Sequence, residues 1–225
     1  MLTFTAETKH VAVHPAAAAA PIVYMNAVSD SSAALWQSLQ QSSCPDCSLV
    51  VISNLNWNND MTPWPAPPIA KSASPCTGGA DDYLLLLLHT IVPQAERLLP
   101  YPPSRRVIAG YSLAGLFALY ALYQTDIFSC AASMSGSLWY PGFASYISAH
   151  PMKRKPDFIY LSLGTKEKKT RNPLMQTIQM RTEEIERYYH AMGIRTVLEM
   201  NEGNHFKDVV KRITAGICCV VSHIS

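Results

Sequence analysis

The feature that most constrains the fold is an apolar run that meets a turn of small residues near the middle of the chain. Residues 106–109 (Arg-Val-Ile-Ala) are followed at 110–115 by Gly-Tyr-Ser-Leu-Ala-Gly and then by a second apolar run. This order predicts a strand, a sharp turn at Ser112 and a buried helix. Because such a turn strains the serine backbone, the residues two before and two after it must be small, and Gly110 and Ala114 meet that need. The pattern is typical of a nucleophile elbow.

Strand and helix patterns alternate along the rest of the chain. Continuous apolar runs predict strands at 21–26, 48–53, 107–111, 128–134, 158–163 and 196–200, with an edge strand at 8–14. Periodic segments predict helices at 32–40, 81–99, 172–192 and 206–221, and Pro93 should bend or break the second of them. This alternation favours an α/β fold, a three-layer α/β/α sandwich with a mainly parallel sheet, formed as a single domain over residues 1–225.

Charge and hydropathy exclude two classes of partner. The chain has 18 basic and 16 acidic residues, a formal net charge of +2, and no long basic block, so we expect no nucleic-acid partner. No apolar segment is long enough to span a bilayer, and residues 1–7 lack the basic start and apolar run of a signal peptide. We therefore expect no membrane partner and a cytoplasmic location. The pattern does not predict an oligomeric state.

The cysteines predict neither a metal site nor a cofactor. Cys44 and Cys47 form a C-x-x-C pair without a second such pair, and Cys218 and Cys219 are adjacent in an apolar helix. Structural zinc usually needs four ligands, so two thiols in a surface loop are the favoured interpretation of the C-x-x-C pair.

A serine nucleophile needs a base, and one histidine fits that role best. In an α/β sheet of this kind the expected chain order is serine, acid, histidine, with each residue just beyond the carboxyl end of a strand. His190 and His223 fall in predicted helices, and His150 precedes a proline in a polar connection. His205 alone lies between the last strand and the last helix, which predicts that it is the base.

Glu167 is the candidate acid that should orient this base. It follows the strand at 158–163 by a short turn, whereas Asp157 begins that strand and should face the opposite edge of the sheet. Glu199 and Glu202 are close to His205 in sequence and remain alternatives, and Glu167 could instead be a surface charge within the run 166–169.

The remaining candidate residues would hold the substrate. The N–H of Leu113, directly after the serine, should donate to a developing oxyanion, and a second N–H should come from Asn26 or Ala27 after an earlier strand. The predicted sheet edge also carries loop aromatics that could bind a flat substrate or only pack the long proline-rich loop at 54–79: Trp57, Trp64, Trp139 and Tyr140.

With these residues in place, the chain resembles the α/β-hydrolase superfamily, in the group of esterase D-like and enterochelin (ferric-enterobactin) esterase-like hydrolases. The resemblance covers nearly the whole chain and is carried by the motifs at 110–116, 135–139, 164–167 and 203–206, with a substrate-side loop at 56–64. It implies a Ser112–His205 pair with an acid that varies among members. No long insertion follows residue 134, so the resemblance also implies an open cleft without a lid domain.

Together these features predict a serine hydrolase that cleaves small carboxylic esters through an acyl-enzyme intermediate, without cofactor or metal. Two alternatives stay open at this point. An acyltransferase or thioesterase could use the same residues, and a catalytically silent binding protein could retain the same scaffold.

Overall fold

The computed structural model describes residues 1–69 and 73–224. Eight strands form its main sheet: β1 (Leu2–Ala6), β2 (Lys9–His14), β3 (Ile22–Asn26), β4 (Ser48–Ser53), β7 (Arg106–Tyr111), β8 (Cys130–Met134), β9 (Phe158–Gly164) and β10 (Thr196–Asn201). A separate two-stranded sheet pairs β5 (Pro65–Ala66) with β6 (Cys76–Thr77). The main sheet has the order β1-β2-β4-β3-β7-β8-β9-β10. Only the β1–β2 and β2–β4 pairs are antiparallel, so the carboxyl ends of β3, β7, β8, β9 and β10 share one edge.

Helices cover both faces of this sheet. They are α1 (Ser32–Gln40), α2 (Trp57–Asp60), α3 (Ala80–Leu86), α4 (Val92–Arg97), α5 (Leu113–Gln124), α6 (Phe143–Ala149), α7 (Pro173–Gln176), α8 (Ile178–Ala191) and α9 (Val209–Ile224). Helices α1 and α9 bury one face, with Leu35 and Ile217 fully enclosed against the strands. The other face packs against α3 to α6 and α8. The predicted three-layer α/β/α sandwich is therefore confirmed.

The central helix α5 fixes the position of the turn that precedes it. All its residues from Leu113 to Tyr123 are buried, which is the pattern of a helix enclosed on every side. A helix held so firmly against β7 and β8 gives the β7–α5 turn a rigid support.

One prediction about the first half of the chain was wrong. The segment at 8–14 does form β2, but the edge strand is β1, which pairs with β2 on its outer side and is exposed along most of its length. The helix predicted at 81–99 does not end at Pro93, where a bend or a break was predicted, but becomes irregular just before it: α3 continues through a π-helical turn at Leu87–Ile91 into α4. Proline lacks an N–H and crowds the carbonyl four residues earlier, and the wider π turn directly before Pro93 accommodates both effects.

The second half differs in its helix boundaries. The helix predicted at 172–192 is divided into α7 and α8, and the Asn172 side chain caps α7 by accepting hydrogen bonds from two backbone N–H groups. The last helix begins at Val209 rather than at residue 206, so the segment with His205 stays in a turn.

All six cysteines are free, and Cys47 is buried rather than part of an exposed loop, because it packs against the α1 side of the sheet. Across the described ranges, no three His, Cys, Asp or Glu side chains are grouped so that they could hold a metal ion. Within the same ranges, no helix combines the length and the apolar character needed to cross a membrane.

Candidate active site

Ser112 sits at the turn between β7 and α5 in a strained backbone conformation. Its φ is 61° and its ψ is −125°, in a region that residues with a side chain rarely adopt. Its N–H donates to the Met134 carbonyl at 3.1 Å, and its own carbonyl accepts from the Ser137 N–H at 2.9 Å. These bonds to the end of β8 and to the segment after it hold the strained turn in place, with the Ser112 hydroxyl facing a cavity.

The small residues around Ser112 have a direct steric cause. A Cβ placed on Gly110 would lie 2.1 Å from the Ala114 carbonyl oxygen and 2.6 Å from the Ala114 Cβ. A Cβ on Gly115 would lie 2.9 Å from the Gly136 Cα. The close approach of β7 to α5 excludes a side chain at Gly110, and the close approach of the segment after β8 to α5 excludes one at Gly115.

We expect Gly110→Ala to destabilise the protein by about 1–3 kcal/mol, because the new methyl group overlaps backbone atoms that cannot move without shifting α5. For a domain of this size each kcal/mol lowers the Tm by about 2–4 °C, which a thermal melt followed by circular dichroism would detect. The double variant Gly110→Ala/Ala114→Gly is the matched control. This double variant should not recover stability, because the worst overlap of the added methyl group is with the Ala114 carbonyl, which the second substitution leaves in place. A full recovery would contradict this explanation.

His205 and Glu167 lie beside Ser112 and form a continuous hydrogen-bonded chain with it. His205 Nε2 is 3.1 Å from Ser112 Oγ, and His205 Nδ1 is 2.8 Å from Glu167 Oε2. His205 follows β10, Glu167 follows β9 and Ser112 follows β7. These three strands are parallel, with β8 between β7 and β9, so they deliver the three side chains to one edge of the sheet. The Tyr111 hydroxyl fixes the histidine loop by donating to the His205 carbonyl at 2.7 Å.

The second oxygen of Glu167 accepts hydrogen bonds from three donors. Oε1 accepts from the Gly164 N–H at 2.7 Å, from the Ser135 hydroxyl at 2.7 Å and from Arg212 Nη2 at 2.9 Å. The side chains of Glu167 and Arg212 are each only 4% exposed. Burial alone would raise the pKa of Glu167, but the hydrogen bonds from His205, Ser135 and Arg212 outweigh it and lower the pKa to about 2. The carboxylate is therefore ionised at neutral and mildly acidic pH.

This pKa makes the stability of the fold depend on acid pH. The folded-state pKa lies below the ordinary value of 4.5, so ionised Glu167 stabilises the fold above about pH 4.5, and this contribution is lost as the pH falls towards 2. We expect Glu167→Gln to cost on the order of 2–3 kcal/mol at pH 7, and the gap from the wild type to narrow by about half at pH 3. Urea melts at both pH values measure this difference in the free energy of unfolding. Glu202→Gln, an exposed acid in the same region, should show no such change. A gap for Glu167→Gln that is the same at pH 7 and pH 3 would refute the assignment.

The alternative acids have other partners. Glu199 Oε2 accepts a hydrogen bond from the hydroxyl of Tyr160 at 2.7 Å. The Glu202 side chain is 80% exposed and lies 3.4 Å from Lys207. Neither carboxylate contacts His205, so Glu167 is the acid that the structure places at the histidine.

The other histidines that follow Ser112 in the chain lie in or beside helices rather than at the serine. His150 Nδ1 lies 2.9 Å from the Tyr146 carbonyl, His190 pairs with Glu186, and His223 Nδ1 lies 2.7 Å from the Cys219 carbonyl.

The backbone groups predicted as oxyanion donors differ in their surroundings. Leu113 is the first residue of α5, so its N–H has no acceptor within the helix, and it lines the cavity beside Ser112. The N–H of Ala27 instead donates to the Ile52 carbonyl at 2.9 Å, and Asn26 is fully buried within the sheet between β4 and β7. The residue of this loop that lines the cavity is Val28, one position further on.

The cavity at Ser112 has a volume of about 500 Å³, and its walls include two of the three predicted tryptophans, Trp57 and Trp139. Trp64 is not among the residues that line it. Its Nε1 donates to the Pro141 carbonyl at 2.9 Å, and its ring packs against Tyr146 with centroids 5.2 Å apart. The prediction of Trp64 as a substrate-binding residue was wrong, because neighbouring aromatic rings and a backbone acceptor enclose it. Tyr140 belongs to the same enclosed cluster and is buried.

Arg212 is the important residue that the sequence analysis missed. Besides Glu167, it donates from Nε to Asn201 Oδ1 at 2.9 Å and from Nη1 to the Asn204 carbonyl at 3.2 Å, and it contacts Ser135. One signal could have revealed it: Arg212 falls on the apolar stripe of α9, beside Ile213 and one turn before Gly216. A cation on the buried face of a helix predicts a buried acidic partner.

Comparison with known proteins shows which family the chain belongs to. Residues 21–208 match the family model described as "Putative esterase". The chain is 25% identical to YbbA of Bacillus subtilis over 162 residues, which is 71% of this chain and 65% of that protein. It is 39% identical to the iron(III) enterobactin esterase of Escherichia coli O6:H1 over 70 residues, 30% of this chain and 17% of that protein. The matches therefore span less than two thirds of these relatives.

A solved structure shares the same fold along almost the whole chain. The siderophore hydrolase EstA from Aspergillus nidulans superimposes with a TM-score of 0.75 at 20% identity, covering 96% of this chain and 91% of that one. At this level of identity the likeness establishes the fold alone, an α/β-hydrolase fold. The family match over most of the chain carries the assignment: the chain belongs to the Putative esterase family.

Proposed function

We propose that the protein hydrolyses carboxylic esters through an acyl-enzyme intermediate on Ser112. The hydrogen-bonded chain from Ser112 Oγ through His205 to Glu167, with distances of 3.1 and 2.8 Å, carries this proposal. Ionised Glu167 can only accept a hydrogen bond, so it selects the tautomer of His205 with the proton on Nδ1. Nε2 is then free to accept the proton of the serine hydroxyl.

The reaction proceeds in two steps. In the first, His205 takes the proton of Ser112 as Oγ attacks the ester carbonyl, and protonated His205 then gives that proton to the departing alcohol. In the second, His205 deprotonates a water molecule that attacks the acyl-enzyme, which releases the acid and restores the serine hydroxyl.

Each tetrahedral intermediate carries an oxyanion that two backbone donors would stabilise. The Leu113 N–H is one donor. We assign the second to Val28, because the Ala27 N–H is already bonded to Ile52 and Val28 lines the cavity.

Hydrolysis of p-nitrophenyl acetate and labelling by a fluorophosphonate test this proposal. The purified protein should release p-nitrophenol, and the probe should attach once, on the peptide that contains Ser112. Labelling without turnover of any ester, including the siderophore esters named for the relatives, would contradict hydrolysis. Absence of both would indicate a silent scaffold.

A further inference from the structure

The cavity at Ser112 has walls that are apolar almost throughout. Side chains from six separate segments contribute to it: Trp57, Ile69, Leu113, Trp139, Met175 and Phe206. Its volume of about 500 Å³ far exceeds the space that an acetyl group needs, and lies in the range of sites for whole small-molecule ligands.

The acidic and basic side chains among the described residues of this wall are Glu167 and His205, which bind each other through Oε2 and Nδ1. Glu167 Oε1 is saturated by Gly164, Ser135 and Arg212. A charged substituent entering the cavity would therefore lose its hydration without gaining an ion pair from this wall.

The mouth of the cavity exposes apolar side chains to water. Phe206 is 83% exposed, Val28 is 68% exposed and Ile69 is 40% exposed, and all three line the cavity. The Phe206 ring stands edge-on to the His205 ring with centroids 5.2 Å apart, directly beside the reacting atoms. Apolar groups gathered at the rim of a cleft are characteristic of a binding surface that a ligand covers.

We infer that the substrate is an uncharged ester with a bulky apolar substituent that fills the cavity, and that Phe206 is a specificity-determining residue that covers this substituent. The inference rests on the proposed ester hydrolysis at Ser112. It adds the chemical class of the substrate, which the serine, histidine and acid do not determine.

A series of esters measures the apolar contribution. For p-nitrophenyl acetate, butyrate, hexanoate and octanoate, each buried methylene should raise kcat/KM by two- to fourfold, so octanoate should exceed acetate by at least about 50-fold. Ethyl and hexyl acetate test the alcohol side in the same way. A gain in either series supports the inference, and no gain in both overturns it.

A charged ester tests the inference that the substrate is uncharged. Mono-p-nitrophenyl succinate carries a terminal carboxylate where p-nitrophenyl butyrate has a methyl group. Its kcat/KM should be at least about tenfold lower. Lys71 lies in the stretch 70–72, outside the described residues, and Lys71→Ala should leave this preference in place. Equal or faster hydrolysis of the succinate ester would overturn the inference.

Phe206→Ala tests the assigned residue. It should lower the octanoate-to-acetate ratio of kcat/KM about fivefold, and Phe206→Leu should restore part of the loss because it returns apolar surface. Leu85→Ala removes an exposed apolar side chain of α3 that does not line the cavity, so its ratio should stay at the wild-type value. An unchanged ratio in Phe206→Ala would remove Phe206 from this role.

These results distinguish a failure of the substrate inference from a failure of the proposed ester hydrolysis on which it rests. If Ser112-dependent hydrolysis of p-nitrophenyl acetate occurs without any gain from longer chains, the substrate class is wrong and the esterase proposal stands. If no ester is hydrolysed and Ser112 is not labelled, both fail.

Discussion

The variant Ser112→Ala is expected to lose about 10⁵-fold in kcat/KM for p-nitrophenyl acetate. Without Oγ no acyl-enzyme can form, and only the oxyanion donors and the binding cavity remain to assist attack by water. Fluorophosphonate labelling should disappear together with the activity, and the thermal melt should change little, because the alanine retains the backbone bonds that hold the turn.

Ser137→Ala is the matched comparison for this variant. Its hydroxyl lies 3.5 Å from Ser112 Oγ and faces the same cavity, so the two variants remove the same chemical group from neighbouring positions. The Ser137 variant should keep the fluorophosphonate label and lose less than about tenfold in kcat/KM, since Ser137 has no base within the hydrogen-bonded chain. Loss of labelling in Ser137→Ala but not in Ser112→Ala would show that the nucleophile is Ser137 and that our mechanism names the wrong serine.

The positions of Ser112, His205 and Glu167 follow from topology, which is why sequence could place them. Each residue stands just beyond a predicted strand, and parallel neighbouring strands necessarily end at one edge. The requirement for small residues at positions 110 and 114 is likewise local, because both Gly110 and Ala114 lie within two positions of the strained serine. Local sterics and strand order are properties that a single sequence carries.

Contacts between distant segments could not be predicted in this way. Arg212 and Glu167 are separated by 45 residues of chain. No local pattern shows that the start of α9 will pack against the turn after β9. Trp64 and Trp57 belong to the same long loop in sequence, and contacts with distant residues, among them Tyr146 on α6, determine that one ring is enclosed while the other lines the cavity. The bond from the Ala27 N–H, one of the two predicted oxyanion donors, to the Ile52 carbonyl was equally hidden from the sequence, because the sheet pairing extends past the predicted strand end.

The variant Glu167→Gln is expected to lower kcat by about 10³–10⁴-fold with a much smaller effect on KM. The reason lies in the donors around Oε1. Gly164, Ser135 and Arg212 all donate to that atom, so the glutamine must turn its carbonyl oxygen towards them and its NH₂ group towards His205. That NH₂ group donates to Nδ1, which places the imidazole proton on Nε2. Nε2 can then no longer accept the serine proton.

Glu202→Gln makes the same chemical change at an exposed position in the loop that carries His205, and it should keep kcat within about twofold. Fluorophosphonate labelling gives a second readout, since Glu167→Gln should label far more slowly than the wild type while its peptide map still places the label on Ser112. An unaltered kcat in Glu167→Gln would show that His205 selects its tautomer without the acid. The hydrogen-bonded chain would then reduce to a Ser112–His205 dyad, with the buried Glu167–Arg212 pair serving only to fix the loop after β9.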